Sequence, residues 1–508
     1  MNVLLITADQ WRGDCMSAVD HPCVETPNID ALIQDGMLFR NHYSVSAPCA
    51  PARASLLTGM YQQNHRVVRN GTPLDERHTN LAQELRKQGY KPTLFGYTDT
   101  SLDPRYHPEH DVIEHGYENV MAGFDEGLLL VDGQPTPWLT YLQDQGYDIK
   151  TAEQAYEPVA NYPQSADKGY CFAPPVYSDE HSQTAFLTRK VIEHIDQCEP
   201  GWCIHLSYLR PHPPFIATEP WNLKYRPEDT PKPIRSENVA DCKTLHPWLN
   251  TALGPQGDWF APWIQQAIGS EAYDKEVAQI RASYYGLVSK VDHYLGKLFT
   301  YLKTTGQYDD TLIVLTSDHG ELLGDQWLFG KRGFFDTAYH IPLIIRDPRQ
   351  THDQRGRIES HFTESVDVMP TILDALAADI PRQCDGQSLM GYINGTDSHA
   401  LRQMLHWEYD FRDVENPAIE QQLGIEMDQC QMNVIRDSRY KYVHFTNLPP
   451  LFFDLKNDPG ELNNLVDDPS YAKEVLRLSQ AMLSWRMNND ERTLTHINVS
   501  RDGIYYLQ

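Results

Sequence analysis

Short apolar runs that stop at a charged residue or at proline alternate along this chain with helix-length amphipathic segments, and that alternation restricts the fold more than any other feature. "NVLLITA" (2–8) ends at Asp9, and "TPNIDALIQDG" (26–36) follows as a short helix closed by Gly36. The order repeats: a helix from about Asn80, Gly89 at its end, then a strand near 92–96. "WCIHLSYLRPHPPF" (202–215) is a strand stopped by prolines, which cannot donate to a ladder. Across 277–304, Val277, Ile280, Tyr284, Leu287, Val288, Val291, Leu295, Leu298 and Leu302 fall three and four apart, and Gly306 closes that helix. It leads into "DDTLIVLTSDHGE" (309–321), whose first half reads as a central strand, and then into "IPLIIRD" (341–347) and the helix "VDVMPTILDALA" (366–377). Such a sequence predicts an α/β fold with a mostly parallel sheet and helices on both faces.

Beyond about residue 380 the pattern changes. "NVIRDSRYKYVHF" (433–445) reads as two strands around a polar turn and 468–487 as a terminal helix. The division expected is a catalytic unit over 1–380 and a smaller unit over 381–508, an antiparallel sheet with a covering helix. Residues 100–200, rich in Tyr, Pro and Asp, read as insertions that rim a pocket. With 43 Lys+Arg against 70 Asp+Glu the formal charge is −27, so neither nucleic acid nor an anionic membrane is expected as a partner. "MNVLLITADQW" has no basic stretch and no cleavage-type pattern, and no run approaches the ~18 apolar residues of a membrane span. The expectation is a soluble, cytoplasmic protein. Nine scattered cysteines show neither paired metal spacing nor disulfide density, and read mostly as reduced, buried thiols.

Ligands of open α/β sheets sit beyond the carboxyl ends of the strands. Two such ends carry acids here: Asp9 and Gln10 after one, Asp318 and His319 after another. Carboxylates with one imidazole suit Mn²⁺, with Zn²⁺ or Ca²⁺ as alternatives. Read singly, each acid is equally an ordinary loop or capping residue. Cys49 heads "CAPARASLLTG", with Pro51 in the first turn and Gly59 at the end, so it lies at the positive end of a helix, one turn from Arg53. A structural thiol, a thiolate nucleophile and a precursor of a modified residue are the three readings. A thiolate phosphatase loop needs arginine six residues after the cysteine, where this chain has Ser55.

"CAPARASLLTG" also matches C-x-P-x-R followed by a helix and glycine, and "TPNIDAL", "YYGLVSKVDHYLGKLFTYL", "TSDHGELLGD" and "LFFDLKNDPGELNNL" are of the same kind. On these residues the chain resembles the sulfatase family of the alkaline phosphatase superfamily. "DQWRGD", "RPHPPF", "LHWEYDFRDV" and "LPPLFFDL" look most like its phosphonate monoester hydrolases and phosphodiesterases, and the arylsulfatases built like them. The resemblance implies an alkaline-phosphatase-like fold, one divalent ion, and oxidation of Cys49 to Cα-formylglycine by a maturation enzyme. It implies a metal shell of Asp9, Cys49, Asp318 and His319, with Arg53 supporting the modified residue. Asn70, Tyr97, His212 and Lys331 would contact the transferred or leaving group, His212 and Lys331 also in catalysis. Gln10 stands where many sulfatases have a second Asp, and His319 replaces the Asn of calcium-dependent members, which moves the metal expected toward Mn²⁺. Asp99 departs from an expected threonine. The activity implied is hydrolysis of sulfate monoesters and of phosphonate monoesters or phosphate diesters, on a small anionic ester, by a homo-oligomer (dimer or tetramer). A pseudoenzyme that binds anions through an unmodified cysteine is the alternative.

Overall fold

The computed structural model describes residues 1–163, 165, 168–254, 263–397, 399–414 and 418–506. Its centre is an eight-stranded sheet. In spatial order the strands are Arg357–Glu359, Met37–Phe39, Leu343–Arg346, Thr311–Thr316, Asn2–Ala8, Cys203–Tyr208, Pro92–Gly96 and Asp125–Leu129. Every pairing is parallel except the two made by Leu343–Arg346. The segment before that strand explains the exception. A parallel strand needs a crossover that carries the chain back to the starting edge, whereas 317–342 contains only a 3-10 turn and the four-residue helix Asp336–Tyr339. That stretch is loop, and it forms part of the functional site.

Strand alternation divides the core. Leu4 and Ile6 point to one face, with Ile313 and Leu315, against Val277, Ile280, Leu287, Val291 and Leu295 of the helix Glu271–Thr304. Val3 and Leu5 point to the other, with Leu312 and Val314, against Leu56 and Leu57 of the helix Cys49–Thr58 and Ile372 and Leu373 of Val368–Ala375. The sheet is buried on both faces, which is why its strands read as continuous apolar runs.

The smaller sheet orders Leu451–Asp454, Tyr440–Phe445, Gln431–Arg436 and Leu405–Asp410 antiparallel, with the helix Ala472–Asn488 packed on it. A fifth strand comes from far upstream: Ser46–Ala47 pairs parallel with Glu408 and Tyr409. The residues just before Cys49 are thereby pinned to the smaller sheet. No helix among the described residues is long and apolar enough to cross a membrane.

Candidate active site

Four adjacent parallel strands end on one side of the large sheet, and each delivers functional groups there. Asn2–Ala8 delivers Asp9, Thr311–Thr316 delivers Asp318 and His319, Pro92–Gly96 delivers Tyr97, and Cys203–Tyr208 runs on to His212. Gly96 makes one of these turns geometrically accessible. Its φ is 110°, and a β-carbon there would lie 2.0 Å from the Ser207 carbonyl oxygen, so only glycine lets the strand end approach its neighbour and swing Tyr97 inward.

The ligand atoms of Asp9, Cys49, Asp318 and His319 all lie within 4.8 Å of one another, and all four residues are buried. Arg53 ties the acids together: its Nη2 donates to Asp9 Oδ2 and its Nε to Asp318 Oδ2, each at 3.0 Å. Its Nη1 donates to the Tyr97 carbonyl at 3.0 Å and to Ser207 Oγ at 2.8 Å. The Tyr97 hydroxyl donates to Asp9 Oδ2 at 2.7 Å. The outer Asp318 oxygen, Oδ1, accepts the backbone N–H of Gln10 at 3.1 Å and of His319 at 2.9 Å. Asp9 Oδ1 is buried with no hydrogen-bond partner.

Cys49 sits at the first position of its helix, Sγ 3.2 Å from His319 Nε2, and Lys331 Nζ donates to that sulfur at 3.1 Å. Lys331 also donates to Gln10 Oε1 at 2.9 Å, and the Gln10 amide donates to Glu321. The Gln10 side chain is thus spent on placing Lys331. Glu321 in turn accepts the N–H groups of Leu323, at 2.9 Å, and Gly330, at 2.7 Å, which fixes the loop that carries the lysine. Asn70 Oδ1 accepts the N–H of Ala50 at 3.0 Å, one of the open donors of the helix start.

The electrostatics follow from this packing. Burial pushes Asp9 up, but Lys331, Arg53 and His319 outweigh it and hold the carboxyl at about 2. Burial and Asp9 push the Cys49 thiol well above the ordinary range, so the chain's own groups do not make it a thiolate. Burial opposes the charge on Lys331, yet its hydrogen bond to Cys49 and the charges of Asp9 and Asp318 keep it an ammonium. His319 is lowered by burial and then by Lys331. Its Nδ1 faces the Gly320 carbonyl at 3.1 Å and must donate to it, which leaves the Nε2 lone pair aimed at the cluster. A neutral imidazole in that tautomer, two carboxylates and a buried oxygen without a donor are the shell a divalent cation needs. The residues present fit the group. Among the described residues this is the one cluster of its kind.

The cluster adjoins a cavity of about 390 Å³ whose lining includes Asp9, Cys49, Asn70, Tyr97, Asp99, His212 and Lys331. Arg53, Asp318 and His319 lie directly behind it. Every residue singled out in the sequence therefore comes to one place. Others that line the cavity were not singled out in the sequence: Tyr117, Glu118 and Asp132 from the insertion region, Trp248, and Tyr409 and Phe411 within "LHWEYDFRDV", at the end of the strand Leu405–Asp410 and just past it. Tyr117, Glu118, Asp132 and Phe411 lie outside helices and strands, where periodicity has nothing to report, while Trp248 sits in the short helix Pro247–Ala252 and Tyr409 in the strand Leu405–Asp410. Ser207 and Glu321 were findable, the first one residue from a strand end, the second within "TSDHGE". His42, His65 and His78 are buried and do not line this cavity, whereas Arg332 does.

Known proteins can now be set beside this geometry. The sulfatase family profile matches residues 1–378, and a profile described as N-sulphoglucosamine sulphohydrolase, C-terminal, matches 324–488. The multifunctional alkaline phosphatase superfamily protein PehA of Trinickia caryophylli is 41% identical over 514 residues, covering 99% of this chain and 98% of its own. The phosphonate monoester hydrolase of Agrobacterium radiobacter superposes with a TM-score of 0.92 at 42% identity, over 100% of this chain and 99% of that one. An arylsulfatase of Clostridium perfringens is 25% identical over 492 residues, 95% of this chain and 93% of the relative. These likenesses run from end to end and include the strand ends that build the cluster; the chain belongs to the sulfatase family of the alkaline phosphatase superfamily and is a hydrolase of ester bonds.

Proposed function

We propose that the enzyme cleaves sulfate monoesters and phosphonate monoesters or phosphate diesters of small alcohols, with Cα-formylglycine made from Cys49 and one divalent ion, Mn²⁺ before Zn²⁺ or Ca²⁺. The observation that carries this reading is the buried quartet of Asp9, Cys49, Asp318 and His319 with its donor-free oxygen, set under an anion-sized cavity. Relatives named as a phosphonate monoester hydrolase and an arylsulfatase support both substrate classes. Asp9, Asp318, His319 and residue 49 would hold the ion, which when bound supplies Lewis acidity to a nucleophilic oxygen at residue 49.

The chain's own groups do the rest. Lys331, charged and 3.1 Å from Sγ of residue 49, is placed to neutralise the negative oxygens of the transferred group. Arg53 fixes both carboxylates and stacks its guanidinium 4.3 Å from the Tyr97 ring centre, so the acids cannot rotate away. Asn70 and His212 line the cavity with residue 49 and orient the ester. Burial of the whole Cys49–Thr58 helix excludes water behind the nucleophile and means that a maturation enzyme must reach Cys49 before the fold closes.

A homo-oligomer, dimer or tetramer, is supported by apolar side chains left on the surface: Leu476, Leu483 and Met487 on the terminal helix, Ile504 and Tyr506 on the last hairpin. Nine unpaired cysteines support a cytoplasmic location. Parallel kinetics on an aryl sulfate and an aryl phosphonate, with protein from its own host, test the assignment. Metal-dependent turnover of both is expected; binding of sulfate without turnover of either would leave an anion-binding pseudoenzyme.

A further inference from the structure

The segment that carries His212 is short of donors. Pro211, Pro213 and Pro214 have no N–H, so the backbone of 210–216 can meet few of its own carbonyls. It supplies the bonds from His212 N–H to the Leu209 carbonyl at 3.0 Å and from Ile216 N–H to the Pro214 carbonyl at 2.7 Å. Side chains do the rest. Arg210 Nη1 donates to the carbonyl of His212 and, at 2.8 Å, to that of Pro214. Between these two, the Pro213 carbonyl accepts from His212 Nδ1 at 2.8 Å. The bond that sets the plane of the imidazole is therefore made to a carbonyl whose neighbours before and after are both held by Arg210.

Arg210 stays in this place against its own solvation. It is 4% exposed, it forms no ion pair among the described residues, and its Nη2 is buried there without an acceptor. Its guanidinium carbon lies 4.3 Å from the centre of the Tyr156 ring, and the Tyr156 hydroxyl donates to Gln183 Oε1 at 3.1 Å. Asp132 feels the charge without pairing with it. Burial lowers the neighbouring Lys290 ammonium to about 8, and Arg210 adds to that against the pull of Asp179. A buried cation without an ion pair costs stability that an apolar chain of similar length would not. What the guanidinium does there is grip the carbonyls on either side of the one that His212 uses.

We propose that Arg210 is a positioning residue of this enzyme, holding the proline-rich turn so that His212 stands in one orientation at the ester. The inference rests on the hydrolase reading above, in which His212 lines the cavity with Cys49 and Lys331. Released by Arg210, the His212 and Pro214 carbonyls turn to other donors, the Pro213 carbonyl moves with them, and the ring loses the bond that aims it. A displacement of about 1 Å at a group that touches the reacting ester is enough for a loss of about 10²-fold.

The test is Arg210→Met in three backgrounds, wild type, Asn70→Ala and His212→Ala, read as kcat/KM on one aryl sulfate and normalised to bound metal. In wild type and in Asn70→Ala the substitution should lower kcat/KM by about 10–100-fold; in His212→Ala it should lower it by less than about threefold, because the group it positions is already gone. Equal losses in all three backgrounds, or no loss in wild type, would overturn the proposal. Should Arg210→Met not fold, Arg210→Lys, whose amine ends a shorter chain, should show the same pattern with a smaller loss, and the same two outcomes would overturn it. Independently of turnover, a crystal structure of the Arg210 variant should show the His212 ring away from the Pro213 carbonyl or in more than one orientation; a ring unmoved from its place in the wild-type crystal would overturn the proposal. If the wild type cleaves no ester the hydrolase reading fails, and the crystal still decides whether Arg210 aims the ring.

Discussion

Two buried clusters of charge lie a few residues apart in this molecule, and they are built on opposite principles. In the first, Lys441 and Arg436 of the small sheet meet Asp336 and Glu461: Lys441 Nζ is 2.9 Å from Asp336 Oδ1 and also bonds Glu461, while Arg436 Nε is 3.2 Å from Asp336 Oδ2. Two cations face two acids, and Lys441 is fully buried. In the second, Asp9, Asp318 and Asp99 all meet the single guanidinium of Arg53, and one oxygen of Asp9 has no donor among the described residues. The balanced cluster joins the small sheet to the loop that carries Lys331, with Phe334 stacked on Phe453 beside it. The unbalanced one has the donor set of a divalent cation site. Charge balance and satisfied acceptors thus separate an architectural ion pair from a site.

The largest effect should come from breaking the balanced cluster. Lys441→Met leaves Asp336 and Glu461 buried together and should cost about 3–5 kcal/mol of stability by denaturant titration, with metal content per folded molecule unchanged. If metal were lost without destabilisation, the division of roles would be wrong. Next, His319→Ala should weaken metal affinity by about 100-fold or more while the metal-free protein melts close to wild type; metal analysis at buffered free ion reads this directly. Unaltered affinity would remove His319 from the shell.

A third way of burying titratable groups, as neutral rings, gives the smallest effect. Burial is the largest cause in each case, and it holds His42, His65 and His205 each at about 3. The unfolded chain, with histidines near pKa ~6.5, binds protons that the folded chain refuses, so stability present at neutral pH is lost as pH falls through this window. Each ring should contribute a slope of about 1.4 kcal/mol per pH unit. Urea midpoints measured at about pH 7, 6 and 5 should fall stepwise, and His65→Asn should flatten the profile.

Much of this was legible in the sequence because its physics is local. The strand 2–8 with Asp9 behind it, the amphipathic run into 311–316, and Cys49 at a helix start depend on neighbours in the chain. Convergence was not local: the pairing of Asn2–Ala8 with both Cys203–Tyr208 and Thr311–Thr316 is what brings the strand ends together. The antiparallel course of Leu343–Arg346 and the contribution of Ser46–Ala47 to the small sheet are likewise tertiary outcomes, set by what the intervening loops do. Asp99 was visible as a departure from its family's pattern, but its place beside Arg53 is a tertiary outcome. Glu118 and Asp132, on irregular insertions, had no pattern to betray them.

The central claim is that residue 49 and the acids at two strand ends share one ion. Peptide mass spectrometry of active enzyme from its own host, combined with metal analysis of the same sample, tests it most directly. The account predicts that the peptide spanning residue 49 carries an aldehyde oxygen in place of sulfur and that one divalent ion accompanies each chain. A fully active sample whose residue 49 is intact cysteine, or which holds no ion, would contradict it.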